Sequence, residues 1–334
     1  MAVVFWVTTN CNLNCKYCYE GNNKDDFTIN KEIIELSLDF IESRIEKNHN
    51  ELIFPIHGGE PLLYFEKMKL IVEFCKSRFK DIDIKFPFTT NGTILNDEIL
   101  DFIINEVPDV TLSIDGSKHT QDSMRSFKDG KSTYEIVLKN GKRLLQYLPN
   151  MRIRMTFDSN TVENLYEDVK FLVDHGFKII VPAPNLFDRN WDYIHLNILE
   201  KQLIKIKEYV ESKKDVLISL IDKDIYINKG SCSGGINNFS IYPNGNIYPC
   251  TMVAGNEEFY IGNVFEGIDY EKLNYLLSKS DCKNKECKDC GLNLYCPGER
   301  CKILNKFITG DYNSPPVMEC AIQRLKYKIN FLYK

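Results

Sequence analysis

Three cysteines near the N-terminus, Cys11, Cys15 and Cys18, have the residue type and spacing of a set of metal ligands. The segment CNLNCKYCYE gives a C-x₃-C-x₂-C pattern, which supplies three thiolates and no fourth. Three thiolates on a 4Fe–4S cluster leave one iron open to an exogenous ligand. A structural zinc site would recruit a fourth protein ligand and close. The spacing therefore favours a cluster with an open iron, and a zinc or redox C-x-x-C with a third cysteine nearby is the alternative.

A second group of cysteines occupies the C-terminal part of the chain. Eight of the twelve cysteines fall there, where helical periodicity fades and turn residues accumulate. Because C-x₂-C pairs also serve zinc, a zinc ribbon is the alternative to iron–sulfur clusters. Within this region FSIYPNGNIYPC, at 239–250, predicts a hairpin turned by Asn-Gly. The group consists of Cys232, Cys250, Cys282, Cys287, Cys290, Cys296, Cys301 and Cys320.

The remaining cysteine, Cys75, lies among apolar residues of a helical pattern, which predicts a buried small hydrophobe and not a ligand.

The opening MAVVFWVTTN lacks a basic region and a cleavage site, so it predicts a first strand and no signal peptide. We therefore expect a cytoplasmic protein, in which stable disulfides are rare and cysteines serve metals or catalysis.

Net charge and the length of the apolar runs argue against two kinds of partner, nucleic acids and membranes. A formal net charge of −5 over 334 residues gives no basic field for a nucleic acid. The sequence has no run approaching the roughly 18 apolar residues of a membrane span. The length suits one large domain and a smaller one, and 43% hydrophobic residues provide a sizeable core.

Short apolar runs alternate with helical patterns, which is typical of βα units and a parallel sheet. The predicted strands are Val3–Val7, Leu52–Ile56, Ile82–Phe88, Val110–Ile114, Arg152–Phe157 and Lys178–Val181. The predicted helices are Lys31–Glu46, Phe65–Lys80, Asp97–Asn105, Tyr134–Tyr147, Val162–His175 and Ile194–Lys213.

Six such units predict an α/β fold, a partial (β/α)₆ TIM-like barrel, over residues 1–216, followed by a small cysteine-rich domain over 217–334. A doubly wound sheet is the competitor, but it would need a Gly-rich phosphate loop after the first strand. This chain has cysteines in that position.

Three further motifs follow predicted strands and would share the rim of the barrel. His57-Gly58-Gly59-Glu60-Pro61 has paired glycines, which permit close backbone approach to a ligand. Thr90-Asn91-Gly92 and Ser113-Ile114-Asp115-Gly116 follow the next two predicted strands. Each motif alone is also compatible with ordinary turn chemistry.

Together with Tyr17, the aromatic before the third cysteine, these motifs resemble the radical S-adenosylmethionine (SAM) superfamily in order and spacing. The resemblance implies that Cys11, Cys15 and Cys18 hold a SAM-binding 4Fe–4S cluster. It also implies SAM contacts for Tyr17, Gly58, Gly59, Glu60, Ser113, Arg125, Arg154 and Leu186. Arg125 would pair with the SAM carboxylate and Leu186 would contact adenine. For Arg154 a solvated strand end is the alternative.

The second cysteine group resembles the SPASM domain, which carries auxiliary iron–sulfur clusters in radical SAM enzymes. The family pattern implies a distal 4Fe–4S cluster on Cys287, Cys290, Cys296 and Cys320. A proximal cluster would use Cys232, Cys250 and Cys301, leaving an open iron or a place for Cys282. Here Pro297–Arg300 puts four residues between Cys296 and Cys301, where the family usually has three.

The resemblance implies an oxidoreductase that generates a 5′-deoxyadenosyl radical and modifies a peptide or protein, with an external electron donor such as flavodoxin or ferredoxin. Two subclasses compete: maturases that form thioether or carbon crosslinks in ribosomally made peptides (RiPP enzymes), and anaerobic sulfatase maturases that form formylglycine. Sulfatase maturases carry a general-base Asp after the cysteine of the IYPC-like strand, and this chain has Thr251 there. Because a hydroxyl cannot replace a carboxylate as a base, we expect thioether formation.

A non-enzymatic alternative, a structural or electron-transfer iron–sulfur protein, would not need the SAM rim motifs. The chain begins at the first predicted strand, so we expect leader recognition, if any, to use another surface or another protein. The sequence leaves open the peptide substrate, the bond formed or a change of stereochemistry, the role of Cys282 and the oligomeric state.

Overall fold

The computed structural model describes residues 1–21, 25–46, 50–221, 227, 230, 232–280, 284 and 287–332. The strands are β1 (Ala2–Trp6), β2 (Glu51–Ile53), β3 (Ile56–His57), β4 (Asp83–Lys85), β5 (Phe88–Thr90), β6 (Val110–Ser113), β7 (Arg152–Phe157), β8 (Ile179–Pro184), β9 (Leu217–Ile218), β10 (Asn238–Ile241), β11 (Asn246–Tyr248), β12 (Gly262–Asn263) and β13 (Gly267–Ile268).

Helices follow most of the parallel strands, as the alternation in the sequence predicts. They are α1 (Lys31–Glu42), α2 (Phe65–Arg78), α3 (Asp97–Glu106), α4 (Lys118–Met124), α5 (Tyr134–Leu145), α6 (Leu165–Asp174), α7 (Tyr193–Val210), α8 (Tyr270–Ser280), α9 (Pro297–Arg300), α10 (Lys302–Thr309) and α11 (Val317–Leu332). Among the described residues, no helix combines the length and the apolar character needed to cross a membrane.

The chain forms two compact units that interleave along the sequence. The first comprises Met1–Asn14, Cys18–Thr111 and Ser233–Leu277, and the second comprises Cys15–Tyr17, Leu112–Cys232 and Ser278–Lys334. These units are defined by internal contacts, and the boundary predicted between residues 216 and 217 remains a prediction.

In the first unit β1 is the central strand. It pairs in parallel with β3 on one side, with Phe5 opposite Ile56 and Trp6 opposite His57. It pairs in parallel with β10 on the other side. Because β10 also forms an antiparallel hairpin with β11, the predicted Asn-Gly hairpin extends the sheet of the first strands. Gly245 turns this hairpin with a φ of +89°, where glycine is favoured.

In the second unit β7 and β8 pair in parallel along their full length, from Arg152 opposite Ile179 to Phe157 opposite Pro184. A short strand that the sequence did not predict, β9, continues this parallel arrangement beside β8. Helix α7 packs against both α6 and α11. Lys207 Nζ fixes α11 by donating to Ile329 O at 2.7 Å.

Two predicted strands were too long. The runs predicted at Leu52–Ile56 and Ile82–Phe88 each split into two short strands with a proline between them, Pro55 in one and Pro87 in the other. A proline has no N–H to donate, so it interrupts a ladder. Each proline carbonyl still accepts a strand N–H, from Phe5 at 2.9 Å and from Ile56 at 2.8 Å respectively.

Candidate cofactor site

The glycine pair of the HGGEP motif packs against the strand extension that leads into the cysteine loop. Gly59 N donates to Thr8 O at 2.9 Å, and Glu60 N donates to Asn10 O at 2.8 Å. A Cβ atom on Gly58 would lie 2.4 Å from Thr8 O, and one on Gly59 would lie 2.2 Å from Asn10 O. The close approach that the glycines permit is therefore an approach to the protein's own backbone. Their predicted contact with SAM remains a prediction.

Glu60 connects this motif to the loop after β5. It is buried, and its carboxylate accepts from Leu62 N at 3.2 Å, Thr90 Oγ1 at 2.9 Å and Asn91 N at 2.7 Å. Such a bonded carboxylate fixes the two loops relative to each other. Glu60 as a direct SAM contact also remains a prediction.

Two donors in the first unit reach the sulfur of Cys11. Leu13 N lies 3.5 Å and Asn91 Nδ2 lies 3.8 Å from Cys11 Sγ. Donors around a sulfur stabilise its anionic form, which is the form that ligates iron. The surroundings of Cys11 therefore fit a cluster ligand.

His57 holds the segment that follows Cys18. Its Nε2 lies 3.0 Å from Tyr19 Oη and 3.6 Å from Glu20 Oε1. Its ring packs edge-on against Trp6, with ring centroids 4.9 Å apart. The strand end at His57 thus supports the far end of the cysteine loop.

In the second unit Tyr17 and Arg125 both approach the buried carboxylate of Asp115. Asp115 was not among the predicted SAM contacts. Tyr17 Oη donates to Asp115 Oδ2 at 2.5 Å and accepts from Arg125 Nη1 at 2.5 Å. Arg125 Nη1 lies 3.9 Å from Asp115 Oδ1, which also accepts from Thr156 N at 2.9 Å. We call Tyr17, Asp115 and Arg125 the buried triad.

Burial and the neighbouring charged groups together determine the protonation states of the buried triad. Burial raises the pKa of Tyr17 well above its usual value, although Arg125 opposes this, so the phenol stays protonated. Burial also raises the pKa of Asp115, while Arg125 and the Tyr17 hydroxyl pull it down. Burial lowers the pKa of Arg125, but Tyr17, Cys15 and Asp115 outweigh it, and the guanidinium remains cationic.

One atom of the triad lacks a protein partner. Arg125 Nε is buried and makes no hydrogen bond to any described residue. An orphaned buried donor on a cation costs free energy unless an anion or another acceptor approaches it. The SAM carboxylate that the resemblance assigns to Arg125 would supply such an acceptor, so this atom fits the cofactor.

A glycine and an aspartate fix the turn that carries Asp115. Gly116 has a φ of +127°, and a Cβ there would lie 2.3 Å from the Cβ of Asp168. Asp168 accepts from Ser117 N at 2.8 Å and from Thr120 Oγ1 at 2.6 Å. The turn of the SIDG motif therefore positions Asp115 and depends on Asp168, a distant partner that the sequence did not indicate.

The other predicted SAM contacts occupy different environments. Ser113 is buried at the end of β6. Arg154 is exposed within β7, and its carbonyl accepts from Ile114 N at 3.1 Å. Leu186 is half-buried in the turn after β8. Contact of these three residues with SAM remains a prediction.

A polar cavity of about 520 Å³ lies next to the buried triad in the second unit. Its lining includes Lys16, His119 and Met124 on one side and Asp158, Asn185 and Asp188 on the other. Lys16 and Met124 are the chain neighbours of Tyr17 and Arg125 and are joined by a backbone hydrogen bond of 3.0 Å. The loops after parallel strands β7 and β8 carry Asp158, Asn185 and Asp188, and such loops commonly form ligand sites.

The four cysteines of the predicted distal set, Cys287, Cys290, Cys296 and Cys320, all belong to the second unit. Cys290 N donates to Cys287 O at 3.2 Å in one turn, and Cys296 precedes α9. Gly298 lies close to both Cys296 and the segment that carries Cys320. A Cβ on Gly298 would lie 3.4 Å from Cys296 Sγ and from the Cγ of Glu319, the neighbour of Cys320, and 3.1 Å from the Cβ of Pro315. This placement suits the predicted distal set.

The predicted proximal cysteines are distributed between the units: Cys250 follows β11 in the first, and Cys232 and Cys301 belong to the second. Cys282 lies outside the described residues. Cys75 is fully buried in α2, and burial raises the pKa of its thiol, as expected for a packed hydrophobe.

Among the residues that the structure describes, no three His, Cys, Asp or Glu side chains converge closely enough to hold a single metal ion. No disulfide joins the cysteines that the structure describes. The C-x₃-C-x₂-C spacing and the two donors directed at Cys11 Sγ suit a loop that binds an iron–sulfur cluster. Parallel β/α units with such a loop after β1 define the class as a cofactor-binding α/β enzyme.

Comparison with known proteins supplies the family. The family profile described as the Radical SAM superfamily matches residues 7–172. An uncharacterised Methanocaldococcus jannaschii protein, MJ0907, is 32% identical over 260 residues, covering 76% of this chain and 85% of that protein. The chain therefore belongs to the Radical SAM superfamily and is an enzyme. The family implies a 4Fe–4S cluster and SAM.

Two named relatives are more distant. The cysteine-type anaerobic sulfatase-maturating enzyme of Clostridium novyi is 24% identical, and the match covers 86% of this chain and 84% of that enzyme. The radical SAM cyclopropyl synthase TigE of Paramaledivibacter caminithermalis is 23% identical, covering 89% and 67% respectively.

Solved structures show the same fold. Native anSMEcpe with bound AdoMet superposes with a TM-score of 0.78 at 20% identity, covering 99% of this chain and 97% of that one. Streptococcus suis SuiB bound to precursor peptide SuiA has a TM-score of 0.68 at 17% identity, covering 96% and 75%. The predicted α/β class with a partial barrel of mostly parallel strands is confirmed, and the doubly wound alternative is wrong.

The glycine contacts yield a prediction about stability. Gly59→Ala should lower the free energy of unfolding by about 3 kcal/mol, because its Cβ would meet backbone atoms of Asn10 that cannot yield. Urea unfolding followed by circular dichroism measures the loss. Gly291→Ala is the control, since nothing lies within 4 Å of its added Cβ. Equal midpoints for the two variants would contradict the proposed packing role.

Proposed function

We propose that this enzyme oxidises a ribosomally made peptide and forms a thioether bond between a cysteine sulfur and a carbon of that peptide. A peptide substrate is supported by the structural likeness to SuiB, which was solved with its precursor peptide, and to anSMEcpe, which was solved with the Cp18Cys peptide. We further propose a SPASM-type domain over 217–334 and an external electron donor such as flavodoxin or ferredoxin.

The observation that carries the choice of reaction is Thr251, which follows Cys250 directly and begins a short 3₁₀ turn, Thr251–Val253. Its side chain is a half-buried hydroxyl. The sulfatase-maturase pattern requires a general-base carboxylate at this position, and an alcohol at its ordinary pKa does not accept a proton from substrate. Formylglycine chemistry therefore lacks its base at residue 251.

The chain's own residues would bind and orient the cofactors. Cys11, Cys15 and Cys18 would hold the SAM-binding cluster, and the unpartnered Nε of Arg125 would donate to the SAM carboxylate. When bound, cluster and SAM together supply a carbon radical that abstracts hydrogen from an unactivated carbon. Within the second unit, the hydrogen bonds of Tyr17 to Asp115 and Arg125 would hold the guanidinium oriented toward SAM.

Two auxiliary 4Fe–4S clusters would occupy the C-terminal cysteines. We assign Cys287, Cys290, Cys296 and Cys320 to the distal one, and Cys232, Cys250 and Cys301, with or without Cys282, to the proximal one. In thioether formation the peptide loses one C–H and one S–H bond and gains one C–S bond. One hydrogen atom goes to the radical, and a proton and a second electron leave, which gives the auxiliary clusters a role as electron acceptors.

The test is co-expression with the peptide encoded by the neighbouring small open reading frame, followed by mass spectrometry. The product should be lighter by two hydrogens per crosslink and should lose one alkylatable thiol for each. Thr251→Val is the matched control and should leave the yield within about threefold, since the proposed reaction needs no base there.

The relationship to sulfatase-maturating enzymes keeps formylglycine formation as the second candidate. A cysteine peptide derived from a sulfatase, treated with the reconstituted enzyme, would then carry an aldehyde that reacts with a hydrazine. Aldehyde formation at rates equal to or above any crosslinking would overturn the thioether proposal.

A further inference from the structure

Asn91 presents its amide nitrogen to the sulfur of the first cluster cysteine. The residue follows β5 directly, is only 5% exposed, and its Nδ2 lies 3.8 Å from Cys11 Sγ. An amide nitrogen carries two hydrogens, so Asn91 can donate to this sulfur and to a second acceptor at the same time. The sequence indicated only a Thr-Asn-Gly turn at this position.

The orientation of the amide is determined by its neighbours. Asn91 Oδ1 accepts from Thr93 N at 3.0 Å and from Thr93 Oγ1 at 2.7 Å. Because a backbone N–H can only donate, the oxygen must lie on that side. The NH₂ group therefore faces Cys11 Sγ and Asn12 Oδ1, the latter at 2.9 Å.

A closed ring of hydrogen bonds holds this orientation. Asn12 Nδ2 donates to Thr93 Oγ1 at 2.8 Å, which links Asn12, Asn91 and Thr93. The backbone of Asn91 is fixed separately, by the 2.7 Å bond from its N–H to Glu60. The donor is thus held from two sides before any cluster binds.

We propose that Asn91 is a positioning residue that raises the reduction potential of the SAM-binding cluster by donating a hydrogen bond to Cys11 Sγ. Reduction adds negative charge to the cluster and its thiolates. A donor at a ligand sulfur stabilises the reduced state more than the oxidised state. The proposal depends on Cys11 as a cluster ligand and not on which bond the enzyme forms.

The test compares midpoint potentials in the reconstituted full-length enzyme. The signal followed is the electron paramagnetic resonance (EPR) signal of the reduced cluster that changes when SAM is added, which separates it from auxiliary clusters. Asn91→Leu and Asn91→Asp remove the donor and should lower the equilibrium constant for reduction about tenfold, which is about 59 mV for one electron.

Thr93→Val is the matched control, because it disturbs the same ring but leaves the Asn91 amide held by Thr93 N. The midpoint potential of this variant should equal that of the wild type. Unchanged potentials in both Asn91 variants at full iron content would overturn the proposal, as would an equal shift in Thr93→Val.

If the Asn91 variants do not assemble the cluster, the wild-type enzyme still provides the answer. Labelling asparagine side chains with ¹⁵N should give a nitrogen coupling in pulsed EPR of the SAM-responsive cluster. Its absence would overturn the proposal. Wild-type enzyme that shows no SAM-responsive signal at all would refute the ligand assignment of Cys11 itself, independently of Asn91.

Discussion

Changing Cys11, Cys15 and Cys18 together to Ala should abolish production of 5′-deoxyadenosine from SAM and dithionite. Three thiolates are the whole predicted protein ligand set of this cluster, so none remains to hold it. Iron should fall by about four atoms per chain, and the wild type should hold about twelve if the C-terminal cysteines bind two further clusters. Anaerobic reconstitution, iron analysis and chromatography of the nucleoside product measure both effects.

Cys75→Ala is the matched cysteine control. Cys75 is buried in α2 among apolar side chains, so its replacement should leave both iron content and nucleoside production unchanged. Undiminished 5′-deoxyadenosine in the triple variant would refute the ligand assignment. Zinc in place of iron after anaerobic purification would favour the zinc alternative for the C-terminal cysteines.

Apolar patterning predicted the β/α elements well where a strand is both buried and uninterrupted. Strand β7 has the predicted bounds, Arg152–Phe157. Strand β1 begins and ends one residue earlier than predicted, and β6 ends one residue earlier. The errors at 52–56 and 82–88 have one cause, since patterning of apolar side chains does not register the missing N–H of Pro55 and Pro87.

Helix α4 shows a different limit of the sequence. Its segment, KHTQDSM, has no apolar stripe from which a helix could be predicted. It is stabilised by polar side chains instead: Gln121 bonds Thr133 and the backbone of Asp115, and Thr120 bonds Asp168. Partners this far along the chain cannot be identified from local pattern.

Some features of the candidate site could likewise be predicted from the sequence, and others could not. The resemblance implied separate SAM contacts for Tyr17 and Arg125, which the structure places in hydrogen-bond contact with each other. The sequence did not predict that Asp115 joins them, or that Asn91 faces Cys11. Both roles depend on burial and on side-chain direction, which emerge only when the strands are assembled.

The buried triad gives the second large effect. Arg125→Met should weaken SAM binding about 100-fold, because the variant loses the cation and the Nε donor that face the proposed carboxylate. It should also destabilise the fold by about 3–5 kcal/mol, since fully buried Asp115 loses its only cationic partner within the triad. Equilibrium dialysis with labelled SAM and urea unfolding measure the two losses.

The double variant Arg125→Met, Asp115→Asn separates ligand binding from stability. Removing both charges should restore most of the unfolding free energy, because neither is left buried alone, and Asn keeps an oxygen for Thr156 N. SAM binding should stay weak, since the cation is still missing. Recovery of SAM affinity together with stability would show that Arg125 acts only on the fold and would contradict its assignment to the SAM carboxylate.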